Sequence, residues 1–198
     1  MQGSTSMRII SGACKGRRLT PLTGGDVRPT PDRAREALFS SLNSRFGDFT
    51  DLQVLDLYAG TGAMALEALS RGAESAVLVD KGHQASAVIR ENIELCRFTD
   101  KGRFSQADVL KALPSLAAQG PFQIIFVDPP YGKGMVPTTL EMVSRLSLLD
   151  SDGILCAETA RKEILPDRIG ELELLDQRHY GSTTISFFTL HSTESDGE

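Results

Sequence analysis

The sequence predicts an α/β fold: a mostly parallel seven-stranded sheet covered by helices on both faces, with an antiparallel strand near its end. Two observations predict this fold. Apolar strand segments alternate with helical patterns along most of the 198 residues, and repeated strand–helix units favour parallel strands joined by helical crossovers. The chain then ends in two long strand patterns joined at Gly181-Ser182, a tight turn that reverses the direction of the last strand.

Five strand segments precede this closing hairpin. The first is QVLDLY at 53–58, and the Ala, Leu and Met spacing of the following AMALEALSRG indicates a helix that ends at Gly72. The other segments are SAVLVD (75–80) before a helix at 84–97, GRFSQAD (102–108) before a helix at 109–118, FQIIFVD (122–128) before a helix at 137–148, and GILCAET (153–159). Ahead of the sheet, alternation and the Lys15-Gly16 turn predict a β-hairpin, and an amphipathic helix is expected after it.

The length and the 40% hydrophobic composition fit one domain with a full core. We expect residues 1–6 to be a cloning remnant or a disordered start before Met7, residues 7–190 to form the domain, and the polar residues 191–198 to be a disordered tail. The chain has no apolar run of the roughly 20 residues that span a membrane, and its first residues lack the apolar part of a signal peptide. A monomer is expected.

The cysteines and histidines indicate a reducing compartment and no metal. Three cysteines at widely separated positions argue against a disulfide framework and for the cytoplasm. None of the three histidines has another Cys or His at the sequence spacing that is typical of metal ligands. The sequence therefore predicts no metal site.

The net charge of −5 is unevenly distributed. Residues 1–45 contain eight basic and three acidic residues, a net charge of +5, so the rest of the chain carries −10. A basic arm on an acidic body suits a polyanion that is contacted at one end. Charge alone leaves open the alternative that these arginines are merely solvated.

Four acidic residues lie at or near the carboxyl ends of predicted strands. In open α/β sheets, ligands bind at this edge. We therefore expect the four carboxylates to converge on one rim rather than to act as four independent strand caps; they are Asp56, Asp80, Asp108 and Asp128.

The loop after the first strand contains two glycines, in DLYAGTGAMA at 56–65. Gly60 and Gly62 permit a tight turn and a close approach of a ligand to the backbone. The loop also fits the dinucleotide pattern G-x-G-x-x-A, with Asp80 as a ribose acceptor, so an NAD-dependent oxidoreductase competes. Asp56 argues against NAD, because a carboxylate at this position could bind an amino group but would repel a pyrophosphate. With Asp108 as an acceptor for an adenine amino group, the pattern favours S-adenosylmethionine.

The strand at 122–128 ends in the stretch DPPY, residues 128–131. Prolines fix φ near −65° and remove backbone amides, so this loop is stiff and presents carbonyl groups. Asp128 and the carbonyl of Pro129 can accept the hydrogens of an amino group, and Tyr131 can stack on a base. The stretch therefore predicts a clamp for a planar amino-bearing substrate, while a simple strand cap remains the alternative.

Taken in order, DLYAGTG, VLVD, QAD and DPPY resemble the motifs of class I methyltransferases, which have a Rossmann-like fold. Together with MRIISGACKGRRL (7–19) and RPTPDRAREALFSSL (28–42), the chain closely resembles the bacterial 16S rRNA guanine-N2 methyltransferases, the RsmD family. The resemblance covers roughly residues 7–190. It implies methyl transfer from S-adenosylmethionine, which leaves S-adenosylhomocysteine, to the exocyclic N2 of a guanine in 16S rRNA. By resemblance this is guanine 966, within a partly or fully assembled small subunit.

The resemblance also implies roles for individual residues. The cofactor would be bound by Asp56, Tyr58, Gly60, Gly62, Asp80, Asp108, Val109, Arg28 and Thr30. The target base would be held by Asp128, Pro129, Pro130 and Tyr131. The extension over residues 7–45 would contact RNA beside the catalytic rim, through Arg8, Lys15, Arg17, Arg18 and Arg33.

Three other functions remain open at this stage. The same clamp could serve adenine-N6 or protein-glutamine methylation, although those enzymes can carry Asn where this chain has Asp128. The chain could also be a cofactor-binding RNA module without catalysis. The third alternative is the NAD-dependent oxidoreductase that the glycine loop also fits.

Overall fold

The structure, a computed structural model, describes residues 7–23, 32–130 and 134–191. Its centre is one sheet of eight strands in the order β3-β2-β1-β4-β5-β8-β7-β6. The strands are β1 Gln53–Leu57, β2 Ser75–Asp80, β3 Gly102–Gln106, β4 Phe122–Val127, β5 Leu149–Ala160, β6 Arg168–Ile169, β7 Leu172–Tyr180 and β8 Thr183–Leu190.

The sheet confirms the predicted fold class. Strands β1 to β5 pair in parallel, and β8 inserts antiparallel between β5 and β7. All seven predicted strands are present, and the two-residue β6 adds an eighth. The reversed β8 also differs from the all-parallel order of dinucleotide-binding domains.

Helices cover both faces of the sheet, and each face has its own apolar core. The helices are α1 Asp32–Phe46, α2 Ala63–Ser70, α3 His83–Leu95, α4 Val109–Leu116 and α5 Met135–Arg145. Helices α1, α2 and α3 pack on one face, and α4 and α5 pack on the other. The strand interiors are therefore buried from both sides, which explains their near-continuous apolar runs.

The N-terminal segment, residues 7–23, lies on the face covered by α1, α2 and α3. Its predicted hairpin is present in a short form, with one antiparallel bridge between Arg8 and Arg18. Beside this bridge the Ile9 amide donates to the carbonyl of Arg17, and the Leu19 amide donates to the carbonyl of Met7. The buried carboxylate of Glu67 in α2 accepts the backbone amides of Ile10 and Ser11, at 2.6 and 3.0 Å. The segment is thus attached by hydrogen bonds to the helix that follows the glycine loop.

In the described part of the chain, no helix is long and apolar enough to cross a membrane. Within the same residues, no group of three or more His, Cys, Asp or Glu side chains is arranged to hold a metal ion. The three cysteines are buried free thiols.

Candidate functional site

The carboxyl ends of β1, β2, β3 and β4 lie at one edge of the sheet, because these strands pair in parallel. Asp56 lies within β1, Asp80 is the last residue of β2, and Asp128 directly follows β4. Asp108 follows β3 and is the N-cap of α4. The structure thus brings the four predicted acidic residues to the same rim.

The glycine loop between β1 and α2 has a strained backbone. Three of its residues have positive φ angles: 65° at Tyr58, 57° at Gly60 and 78° at Gly62. A Cβ atom on Gly62 would lie 2.9 Å from Leu78 Cδ2, so both the angle and the space disfavour a side chain there. At Gly60 the nearest heavy atoms would be 3.9 Å away, an ordinary van der Waals distance, so a Cβ atom would meet no clash there.

Asp80 holds the glycine loop against the end of β2. Its Oδ2 accepts the amide of Gly60 at 3.0 Å, and its Oδ1 accepts the amide of Gly82 at 2.8 Å. Each carboxylate oxygen can accept more than one hydrogen bond. The residue therefore shapes the loop and still has lone pairs for a hydroxyl ligand.

Asp56 lies beneath the loop and is only 3% exposed. Its Oδ2 accepts the amide of Ala65, in the first turn of α2, at 3.1 Å. Burial raises the pKa of Asp56 from its ordinary 3.8 to about 7, although the Ala65 hydrogen bond lowers it, and the charge of Asp80 adds a further increase. A neighbouring cation would favour the ionised form of this carboxylate.

Asp108 and Tyr58 flank the other side of the loop. The Asp108 side chain is 35% exposed and lies 3.5 Å from the Lys81 ammonium group. The Val109 side chain is buried in the core, so only its backbone could contact a ligand. The Tyr58 hydroxyl is 2.8 Å from the Thr139 hydroxyl of α5, which fixes the ring of Tyr58 at the edge of the loop.

Asp128 lies in a recess on the face covered by α1 and α2. Asp128 is solvent-exposed, although neighbouring protein atoms shield part of its carboxyl group from water. This partial burial raises the pKa of Asp128 well above its usual range, and the charges of Glu158 and Asp56 raise it further. Pro129 is buried and Pro130 is exposed, so the first proline anchors the loop and the second faces solvent.

Asn92 is a site residue that the sequence interpretation missed. It is fully buried in α3, and its Nδ2 donates to the carbonyls of Thr20 and Thr61, at 3.1 and 3.0 Å. Its Oδ1 accepts the amide of Thr20 at 2.7 Å. One side chain therefore ties the N-terminal segment to the glycine loop. A single Asn in a helical pattern carries no signal of such a role.

Glu158 of β5 was also missed. It is 9% exposed and lines the same recess as Asp128. The signal was present, since GILCAET places an acid near the end of an apolar strand, as in the four segments whose acids were predicted to bind ligands.

The N-terminal segment lies beside the rim only at its ends. The Thr61 hydroxyl donates to Met7 Sδ at 3.3 Å, next to the glycine loop. At the tip, the Ala13 amide donates to the carbonyl of Ser70 at 2.7 Å. Ser70 ends α2, a helix that begins at the rim, so the tip lies at the opposite edge of the sheet. The expectation of a segment beside the rim is therefore wrong for the tip.

The basic residues predicted to contact RNA are distributed along this segment and α1. Lys15 and Arg17 belong to the tip, whereas Arg8 and Arg18 face each other nearer the rim. Arg33 is exposed in the first turn of α1. Their contacts with RNA stay predictions. Three other predicted site residues lie outside the described part of the chain: Arg28, Thr30 and Tyr131.

Comparisons with known proteins agree on one family. Residues 7–189 match the family model described as conserved hypothetical protein 95. The chain is 33% identical over 183 residues to "Putative rRNA methyltransferase YlbH" of Bacillus subtilis, covering 92% of this chain and 98% of the relative. It is 32% identical over 197 residues to ribosomal RNA small subunit methyltransferase D of Escherichia coli K12, and the alignment covers 99% of this chain and 94% of that relative. A solved hypothetical protein of Thermus thermophilus aligns with a TM-score of 0.80 and 29% identity, covering 93% and 99%.

Proposed function

This chain belongs to the conserved hypothetical protein 95 family, the RsmD family that its motifs resemble, and on that premise we propose that it is an S-adenosylmethionine-dependent 16S rRNA methyltransferase. The group methylated is the exocyclic N2 of a guanine, guanine 966 by resemblance. The observation that carries the proposal is the placement of Asp128, with its two prolines, on the same rim as the glycine loop. The relatives named as small-subunit rRNA methyltransferases support the RNA substrate.

The residues of the rim fit the proposed cofactor. A buried carboxylate such as Asp56 is costly when charged, and a cationic amino group beside it would offset that cost. Asp80 has oxygens available for ribose hydroxyls, and partly exposed Asp108 can accept an adenine amino group. Gly60 has no side chain, so a ligand can approach the loop backbone closely at this position.

The bound cofactor supplies a methyl group already activated on a sulfonium. The protein must therefore orient the guanine amino group, whose lone pair is delocalised into the ring. Asp128 accepts one amino hydrogen, and the carbonyl of Pro129 accepts the other. These hydrogen bonds turn the nitrogen lone pair toward the methyl group, and this alignment supplies much of the rate. Transfer leaves a positive charge on the nitrogen, which the carboxylate of Asp128 stabilises until this carboxylate or water accepts the extra proton.

The proposal includes a monomeric, cytoplasmic enzyme that acts on a partly or fully assembled small subunit. Only five basic residues are predicted to contact the RNA, so its affinity should be modest and should weaken with salt. Recognition of the folded RNA and its bound proteins would then supply the rest of the specificity.

The experiment that tests the proposal is transfer of labelled methyl groups to small ribosomal subunits and to naked 16S rRNA, followed by mapping of the modified base. We expect one N2-methylguanine, formed preferentially on the particle. Label found on adenine, on protein glutamine or on no substrate would contradict the proposal.

The role of Asp128 is tested by Asp128→Asn, which keeps the size of the side chain and removes its charge. We expect turnover to fall by at least about a hundredfold, the lower end of what a positioned proton acceptor contributes, while the cofactor dissociation constant stays within about twofold. Asp152→Asn, an exposed carboxylate near the opposite edge of the sheet, is the matched control. Normal turnover in Asp128→Asn would show that this carboxylate only caps the strand.

A further inference from the structure

The recess beside the rim has a mixed lining. The space within it and in front of its open mouth amounts to about 270 Å³. Its walls include Leu38 of α1, Met64 of α2 and Ile185 of β8, and its carboxylates are Asp128 and Glu158. An apolar slot with a few convergent polar groups is the usual form of a site for a small flat ligand.

Sheet register places the two carboxylates side by side. In the parallel pair of β4 and β5, Phe126 is opposite Cys156, and both side chains belong to the core under α1, α2 and α3. Side chains alternate between the faces of a strand, so Asp128 and Glu158, two residues further on, point to that same face. Ile185 of β8 is the cross-strand partner of Glu158 and forms the adjoining wall.

This arrangement favours a ligand that donates hydrogen bonds. Glu158 is nine-tenths buried, and its charge contributes to the raised pKa of Asp128, which shows that the two groups act on each other. Like charges beside an apolar surface disfavour ionisation, and donors that reach the carboxylates favour it. A ligand with neighbouring N–H groups on one edge would complement the recess.

Guanine has such an edge and adenine does not. On guanine, N1–H lies next to the N2 amino group, so two adjacent positions donate hydrogens. On adenine, the N1 position has a lone pair, which a carboxylate would repel. We propose that Glu158 accepts the N1–H of the target guanine while Asp128 holds its N2 amino group, so that Glu158 makes the recess selective for guanine. This inference rests on the proposed function and adds to it the residue that discriminates the base.

A base analogue separates this role from a structural one. In 2,6-diaminopurine the N2 amino group is kept, but N1 is an acceptor, as in adenine. We would ligate 16S rRNA carrying guanine or 2,6-diaminopurine at the mapped position, assemble both into small subunits, and measure kcat/KM for methyl transfer. The wild-type protein should prefer guanine by about tenfold or more, as expected for one specific pair of contacts to a base edge.

Glu158→Gln replaces one acceptor oxygen with an amide donor of nearly equal size. We expect it to lower kcat/KM for guanine and to reduce the guanine preference by about tenfold or more, because the new N–H can donate to N1 of the analogue. Glu141→Gln, an exposed position on α5, should keep the wild-type preference. Melting temperature and cofactor binding of each variant report whether the fold is intact.

The outcomes are distinguishable. Equal use of both bases by the wild-type protein would overturn the role of Glu158 without any variant. A Glu158→Gln protein that loses both activities by the same factor would overturn it too, since a structural defect has no reason to favour one base. Absence of methyl transfer to the guanine substrate by the wild-type protein would instead refute the proposed function itself.

Discussion

Replacement of Asp56 by Asn should make the protein more stable at neutral pH in the absence of ligand. The folded state raises the pKa of Asp56 from 3.8 to about 7, mainly because the side chain is buried. Between these two values the folded protein keeps a proton that the unfolded chain has lost. Stability therefore falls as pH rises through this window, and it levels off above pH 7.

The magnitude follows from the size of the shift. About 3 pKa units at 1.36 kcal/mol each amount to about 4 kcal/mol over the whole window. Between pH 5 and pH 8, the free energy of unfolding should fall by about 3 kcal/mol of this total. The part below pH 5 lies outside the measured range, and stability no longer changes much above pH 7. Asn cannot ionise, so its difference from the wild-type protein should grow by this amount. Any fixed cost of burying the amide is the same at every pH.

Urea unfolding without cofactor, at pH 5 and at pH 8, measures this difference. For a chain of 198 residues, 3 kcal/mol corresponds to a shift in melting temperature of about 6–12 °C. Asp100→Asn, at an exposed turn, should change stability by less than about 0.5 kcal/mol at both pH values. A difference between Asp56→Asn and wild type that is constant with pH would refute the reasoning. The proposed cofactor would offset the cost of the charge, so Asp56→Asn should also weaken its binding.

Two matched glycine pairs test the backbone of the site and of the N-terminal segment. Gly62→Ala should lower the free energy of unfolding by about 2–5 kcal/mol, through a positive φ and the 2.9 Å approach to Leu78. Gly60→Ala has a positive φ but no neighbour closer than 3.9 Å, so it should lose only about 1–2 kcal/mol. If chemical denaturation gave the same loss in the free energy of unfolding for both variants, the explanation by crowding at Gly62 would be wrong. Gly12→Ala would place its Cβ 1.7 Å from the carbonyl oxygen of Ser70, so the tip should detach and become sensitive to protease. Gly16→Ala, with a similar φ of 80° and no atom within 4 Å, should stay protected, and cleavage of both variants at the same rate would exclude this explanation.

Much of the fold could be predicted from local patterns. Apolar runs that alternate with helical spacing are dictated by burial of the strands on both faces, and this pattern predicted each strand of the parallel sheet. The Gly181-Ser182 turn predicted the reversed last strand, since a two-residue turn can join neighbouring strands only if they run antiparallel. The four acidic residues at strand ends could be grouped in advance, because parallel strands bring their carboxyl ends to one edge.

Other features depended on contacts between distant segments. The amphipathic pattern of α1 did not show that Arg35 is buried, with its guanidinium donating to the backbone carbonyl of Arg8. Nor did the turn at Lys15-Gly16 show which way the hairpin lies, because its direction is set by hydrogen bonds to Glu67 and Ser70 of α2.

The fold class, the family and the acidic rim follow from short-range periodicity and from motifs of a few residues, so they could be read from the sequence. The contact of Glu158 with the recess of Asp128, and the link that Asn92 makes between the N-terminal segment and the glycine loop, arise from packing in three dimensions. These pairs are separated by 30 or more residues. Their proximity results from strand register and helix docking, which are properties of the packed chain and not of any local stretch.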